Sequence, residues 1–141
     1  EETAKAITAD GWLCTGDAAY RDKDGYIYMH DRYKDMIVSG AENIYPTEIE
    51  NVLYQHHDVT QVAVIGVPHE RWGETPKAFV VVRNGSHPSE SELIAFTRAQ
   101  LAHYKCPTSV AFVTQLPMNA SGKILKKEMR NPEWLKENAC P

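Results

Sequence analysis

Apolar residues recur along this chain with two different periods, and the changes of period mark its elements. Val59 to Val67 is a near-continuous β-branched run and reads as a buried strand. Ala78 to Arg83 is a second, ended by the turn pair Asn84-Gly85, and Val110 to Val113 is a third. Met36-Ile37-Val38 gives a shorter strand. Ile49, Val52 and Leu53 recur at helical spacing behind Pro46, which suits a first helical turn, and Glu48 and Glu50 favour the positive end of that helix. Ser89 and Glu92 form a capping box for a helix expected to reach about His103, with Leu93, Ile94, Phe96 and Leu101 facing inward. Ser39 to Tyr45 reads as a loop. Lys123 to Arg130 reads as a short basic helix stopped by Asn131-Pro132.

Before Met36 the pattern differs. Ala18 to Arg21 and Tyr26 to His30 predict an antiparallel ribbon turning at Asp22 to Gly25. Asp31-Arg32-Tyr33-Lys34-Asp35 then breaks the apolar pattern, as a hinge or domain boundary would. From Met36 the order is strand, helix, strand, strand, helix, strand, helix. The expected fold is α+β: a small domain with a roughly three-stranded central sheet flanked by helices, preceded by the ribbon.

Composition narrows the function more by exclusion than by direction. Of 141 residues, 43% are hydrophobic and 24% charged, and the formal net charge is −4, so no global field favours nucleic acid. Cys14, Cys106 and Cys140 are an odd set without CxxC spacing, which fits reduced thiols in a cytoplasmic protein better than a disulfide framework. No apolar run has the length of a membrane span. The spacings of His30, His56, His57, His69, His87 and His103 match no standard ligand pattern, so no metal ligand is expected. The basic set Lys123, Lys126, Lys127 and Arg130 lacks the interleaved aromatics of a nucleic-acid surface.

Five short segments carry candidate chemistry. Asp17, after Thr15-Gly16, can accept hydrogen bonds from a vicinal diol or satisfy a turn backbone. Arg32 can donate to ribose or phosphate oxygens, or belong to a solvated ion cluster. Gly40 permits a positive φ or the close approach of a thin ligand. Trp72 can stack on a nucleobase or cap the core. Lys123 follows a Ser121-Gly122 turn, where a cation suits a transient anion but an ordinary solvated turn fits as well.

In order, these segments resemble the adenylate-forming superfamily of acyl-CoA synthetases, luciferases and peptide-synthetase adenylation domains. The resemblance runs from Gly11 to Arg130 and rests on Thr15-Gly16-Asp17, Asp24-Gly25-Tyr26, the Asp31 to Asp35 stretch, Gly40 with Glu42-Asn43-Ile44-Tyr45-Pro46-Thr47-Glu48-Ile49-Glu50, and Pro117 through Ser121-Gly122-Lys123. The Glu42 to Pro46 segment and Tyr104-Lys105-Cys106-Pro107 look most like fatty-acyl and related acyl-CoA ligases.

The resemblance implies ATP, CoA and Mg2+ as cofactors and a carboxylic acid as substrate, converted to acyl-AMP and then to a thioester. It implies that Asp17 and Arg32 bind the nucleotide and that Lys34 is a hinge. It implies that Lys123 neutralises carboxylate and α-phosphate. Gly40, Ala41, Glu42 and Trp72 would meet CoA. Cys106 and Thr108 are neutral where some CoA ligases carry basic residues. The family's phosphate loop, acyl pocket and metal-binding acidic residue are absent from this sequence. Residues 1–32 are therefore expected to end a large domain and residues 33–141 to form its lid, in a cytoplasmic protein with possible peripheral membrane association of the parent. The alternatives are an adenylation domain loading a carrier-protein phosphopantetheine, and a free-standing binding module without catalysis.

Overall fold

A computed structural model describes residues 6–140. Its first unit is an antiparallel ribbon of β1 (Asp17–Arg21) and β2 (Ile27–Arg32), in a register that sets Asp17 opposite Arg32. The ribbon turns where one Asp22 carboxylate oxygen accepts the N–H groups of Asp24 and Tyr26 at 3.0 and 2.9 Å. Tyr20 and Tyr28 stack across it with ring centroids 5.1 Å apart.

A single 3₁₀ turn, Tyr33–Asp35, leads to β3 (Ile37–Ser39) and β4 (Glu42–Ile44). Next come α1 (Pro46–Leu53), β5 (Val59–His69) and β6 (Gly73–Val82). After α2 (Glu90–Arg98), β7 (Ser109–Phe112) and α3 (Pro132–Asn138) complete the order. Strands β4, β3, β6 and β5 are antiparallel neighbours in that order, and β7 adds to β6 in parallel through Lys77–Ser109 to Val80–Phe112.

The sheet is buried on both faces, and strand alternation shows how. Val62, Val64, Ala78 and Val80 face α1 and α2 in a core with Ile37, Ile44, Ile49, Leu53 and Leu93. Ala63, Ile65 and Phe79 face the opposite way and meet Val113, Leu116 and Met129, with Ile124, Trp134 and Leu135 packed against them. Two-sided burial explains why β5 reads as a continuous apolar run. It also makes the C-terminal segment a structural layer.

The fold class is the expected α+β, but four local expectations are corrected. The sheet has five strands rather than three. Ser39 to Tyr45 is not a loop: β3 and β4 form a tight hairpin around Gly40-Ala41, pairing Ser39 with Glu42. The capping-box helix does start at Ser89, whose Oγ accepts the Glu92 N–H at 3.2 Å, but it stops at Arg98. A 3₁₀ turn, His103–Lys105, then delivers Cys106 in the extended backbone that Pro107 demands.

The largest correction concerns Lys123 to Arg130, which is not a helix. Met118 pairs with Ile124, Leu125 donates to the Pro117 carbonyl, and only Glu128–Arg130 makes a 3₁₀ turn. Ile124 and Met129 are drawn onto the second sheet face. Asn131-Pro132 opens a helix instead of stopping one. Asn131 Oδ1 accepts the Glu133 N–H at 3.0 Å, and Pro132 occupies the first turn, where its missing donor costs nothing.

Candidate functional site

Asp17 and Arg32 lie opposite each other on the ribbon and pair at 3.5 Å. The next residue back, Asp31, ties the ribbon to the small domain. Its Oδ2 accepts from the Thr47 N–H at 3.0 Å and the Thr47 hydroxyl at 2.8 Å. Tyr45, at the N-cap of α1, supplies no side-chain acceptor, so Asp31 caps that helix from another element. His30 and Tyr45 reinforce the junction, edge to face at 4.2 Å.

Asp31 and Asp35 with Arg32 and Lys34 line one wall of a cleft of about 740 Å³. The opposite wall is Gly122 to Lys127 with Arg130. The structure thus brings the expected hinge residue Lys34 and the expected cation Lys123 to one cleft, both exposed. Six cations line it against the three carboxylates Asp31, Asp35 and Glu50, a donor set for an anion. Asp17 lies outside its lining.

The Lys123 loop is built by one side chain that the sequence reading passed over. Asn119 Oδ1 accepts from the Ser121 N–H at 3.0 Å, the Ser121 hydroxyl at 2.8 Å and the Lys123 N–H at 2.8 Å. Gly122 closes the turn at φ 77°, a conformation suited to glycine. Three residues on, Lys126 Nζ bonds Glu50 Oε1 of α1 at 2.8 Å. An asparagine two residues before a Ser-Gly turn was the available signal for the first contact. No local pattern signals the second.

Ala41, Glu42 and Trp72 meet in another cleft, of about 500 Å³, which shares no lining residue with the first. Gly40, next to the lining residues Ser39 and Ala41, takes the positive φ raised for it and packs closely against Trp72. Its φ is 62°, its N–H donates to the Trp72 carbonyl at 2.7 Å, and a Cβ there would stand 3.2 Å from Trp72 Cε3. Trp72 is 44% exposed, with the Arg71 guanidinium 4.5 Å above its ring, so it does not cap the core. His103, Tyr104, Cys106 and Thr108 complete this cleft. Lys105 is turned away from it. Its Nζ bonds both Glu48 oxygens at 2.8 Å, and that hydrogen bond raises its pKa above the usual lysine value against the opposing effect of burial.

Cys14, Cys106 and Cys140 are all free thiols. No helix among the described residues is long and apolar enough to cross a membrane. His56 and His57, set aside on spacing, gather with Asp58, a residue the spacing argument did not weigh, just past the end of α1.

The model of the AMP-binding enzyme C-terminal domain family matches residues 48–123, more than half of the chain. A fatty acid–[acyl-carrier-protein] ligase, ScoC, of Streptomyces coeruleorubidus is 48% identical over 134 residues, 95% of this chain and 26% of that protein. A feruloyl-CoA synthase of an Amycolatopsis species is 53% identical over 129 residues, 92% of this chain and 26% of that protein. The chain thus spans about a quarter of the length of these relatives. Among solved structures, ATP-bound MatB from Rhodopseudomonas palustris superposes with a TM-score of 0.86 at 38% identity, covering 92% of this chain and 26% of that one. The apo form of MatB, with the same identity and coverage, gives 0.72.

Proposed function

The chain belongs to the AMP-binding enzyme C-terminal domain family, and on that premise we propose that it is the end of a longer ATP-dependent acid–thiol ligase. Residues 1–32 close the large domain and residues 33–141 form its mobile lid. The parent enzyme activates a carboxylic acid, a fatty acid in the leading reading, as acyl-AMP with release of pyrophosphate. It then passes the acyl group to the CoA thiol and releases AMP.

One observation carries this reading: the chain holds two separate clefts, one containing Lys34 and Lys123 where the ribbon meets the small domain, the other containing Ala41, Glu42 and Trp72. A carboxylate attacking a polyanion needs a placed cation, and thioester formation needs a thiol brought to the same carbon afterwards. A lid that swings on Lys34 presents Lys123 for the first step and the Trp72 cleft for the second. The likeness to ATP-bound MatB supports a nucleotide as one ligand of the parent enzyme. Asp17 holds the ribose hydroxyls and Arg32, 3.5 Å away, orients it and reaches the nucleotide.

When bound, Mg2+ would neutralise the nucleotide phosphates. The cationic lining of the Lys123 cleft does not suit a bare metal ion, so no step in this chain runs through it. A second reading of the acceptor rests on Cys106 and Thr108, neutral residues in the Trp72 cleft. A carrier-protein pantetheine, which lacks the nucleotide end of CoA, needs no cation there. The similarity to ScoC supports the same alternative.

The test supplies the full-length protein with ATP and a panel of carboxylic acids, then with CoA or a phosphopantetheinylated carrier protein. Pyrophosphate release followed by acceptor-dependent AMP release is expected. A binding module without catalysis would release neither, and saturation by CoA alone would dismiss the carrier reading.

A further inference from the structure

His56, His57 and Asp58 follow the C-terminal end of α1, away from both clefts, and the proposed reaction uses none of them. Their donor atoms all lie within 4.8 Å of one another, the one such group of three among the described residues. His57 Nε2 stands 3.2 Å from Asp58 Oδ2, and His56 Nδ1 stands 4.0 Å from the same oxygen. Ligand atoms around a four-coordinate zinc are about 3.3 Å apart, given bonds of about 2.0–2.1 Å. One edge of the group already has that length.

The surroundings add what bare proximity would not. The His56 side chain is only 5% exposed and stands edge to face on Phe96 of α2, ring centroids 5.0 Å apart, so its orientation is fixed. Its Nδ1 edge faces Asp58, and its Nε2 edge faces the Glu92 carboxylate at 4.0 Å. A histidine that ligates through one nitrogen commonly offers its other N–H to a carboxylate, which fixes the ring and strengthens the ligand. The Asp58 N–H now reaches His56 Nδ1 at a long 3.3 Å, a weak claim on that lone pair. The His57 side chain is 82% exposed and can close the remaining distance by rotating in solvent.

We propose that His56 Nδ1, His57 Nε2 and Asp58 Oδ2 form a binding site for a borderline divalent metal, zinc above all, with a water in the fourth position and Glu92 as the outer partner of His56. Two imidazoles and one carboxylate suit zinc, copper or nickel and disfavour magnesium. The bound ion would tie the end of α1 to the start of β5 and, through Glu92, to α2.

The test is calorimetric titration of zinc sulfate into this chain carrying Cys14→Ser and Cys140→Ser, which removes the accessible thiols as competing ligands. One zinc per chain is expected, with a rise in thermal midpoint and no competition from magnesium. His57→Ala alters an exposed side chain, so it leaves the fold intact by circular dichroism while weakening zinc binding at least about tenfold. Glu92→Gln weakens it less. Absence of stoichiometric binding, or unchanged affinity in His57→Ala, would overturn the site and leave His57 and Asp58 as a polar surface contact.

Discussion

Glu50 Oε1 receives Lys126 Nζ and the Val64 N–H together, each at 2.8 Å, so one carboxylate on α1 fastens both β5 and the segment that carries Lys123. Both charged side chains are mostly buried, at 15% and 17% exposure. The pair therefore holds better than a surface ion pair, and its loss leaves a poorly solvated ammonium.

Glu50→Gln keeps an acceptor for Val64 and removes the charge. It is expected to cost about 1–2 kcal/mol, below the ~3–5 kcal/mol of breaking a fully buried pair. Urea unfolding measures this. Hydrogen exchange should show faster opening at Lys123 to Lys126 than in β5. Uniform acceleration across the domain would mean that the pair does not hold that segment in particular.

Gly40→Ala is expected to destabilise by ~1–2 kcal/mol from its left-handed backbone alone. The added Cβ would also press on Trp72, only 3.2 Å away. Tryptophan fluorescence should shift as the ring leaves its seat, and the thermal midpoint should fall. A lowered midpoint with unchanged fluorescence would separate strain from the contact with Trp72.

The Lys105–Glu48 bond gives a pH dependence with a definite sign. The folded pKa of Lys105 is raised above 10.5, so its contribution is fully present below pH 10.5 and is lost as pH rises through the folded value. Both partners are partly exposed, and the bond is worth about 1 kcal/mol. The stability gap between this chain and Lys105→Met should hold near neutral pH and shrink above 10.5. A gap that stays constant into strong alkali would contradict this.

The α+β class was legible because its signals are local: β-branched runs at β5 and β6, Pro46 at a helix start, Ser89 with Glu92 at another. What sequence reasoning missed depends on distant partners. Asp31 caps α1 from the ribbon, and Lys126 reaches back to Glu50, so neither contact has a periodicity to betray it. The basic stretch after Gly122 resembled a helix because its charges recur favourably. Burial of Ile124 and Met129 against a second sheet face decided otherwise. The candidate residues stand out more readily than their supports: Lys123 is marked by the Ser-Gly turn before it, while Asn119, the side chain that holds its loop through three hydrogen bonds, has only its place two residues before that turn to mark it.

The most direct test of the lid reading separates the two half-reactions in the full-length protein carrying Lys123→Ala. Formation of acyl-AMP, followed by pyrophosphate release, should fall ~10²–10³-fold, as expected for one lost electrostatic donor. Thioester formation from supplied acyl-AMP and the thiol acceptor should stay within about threefold of the parent, because Lys123 has then left the reacting centre. Near-parental adenylation by Lys123→Ala would contradict the account.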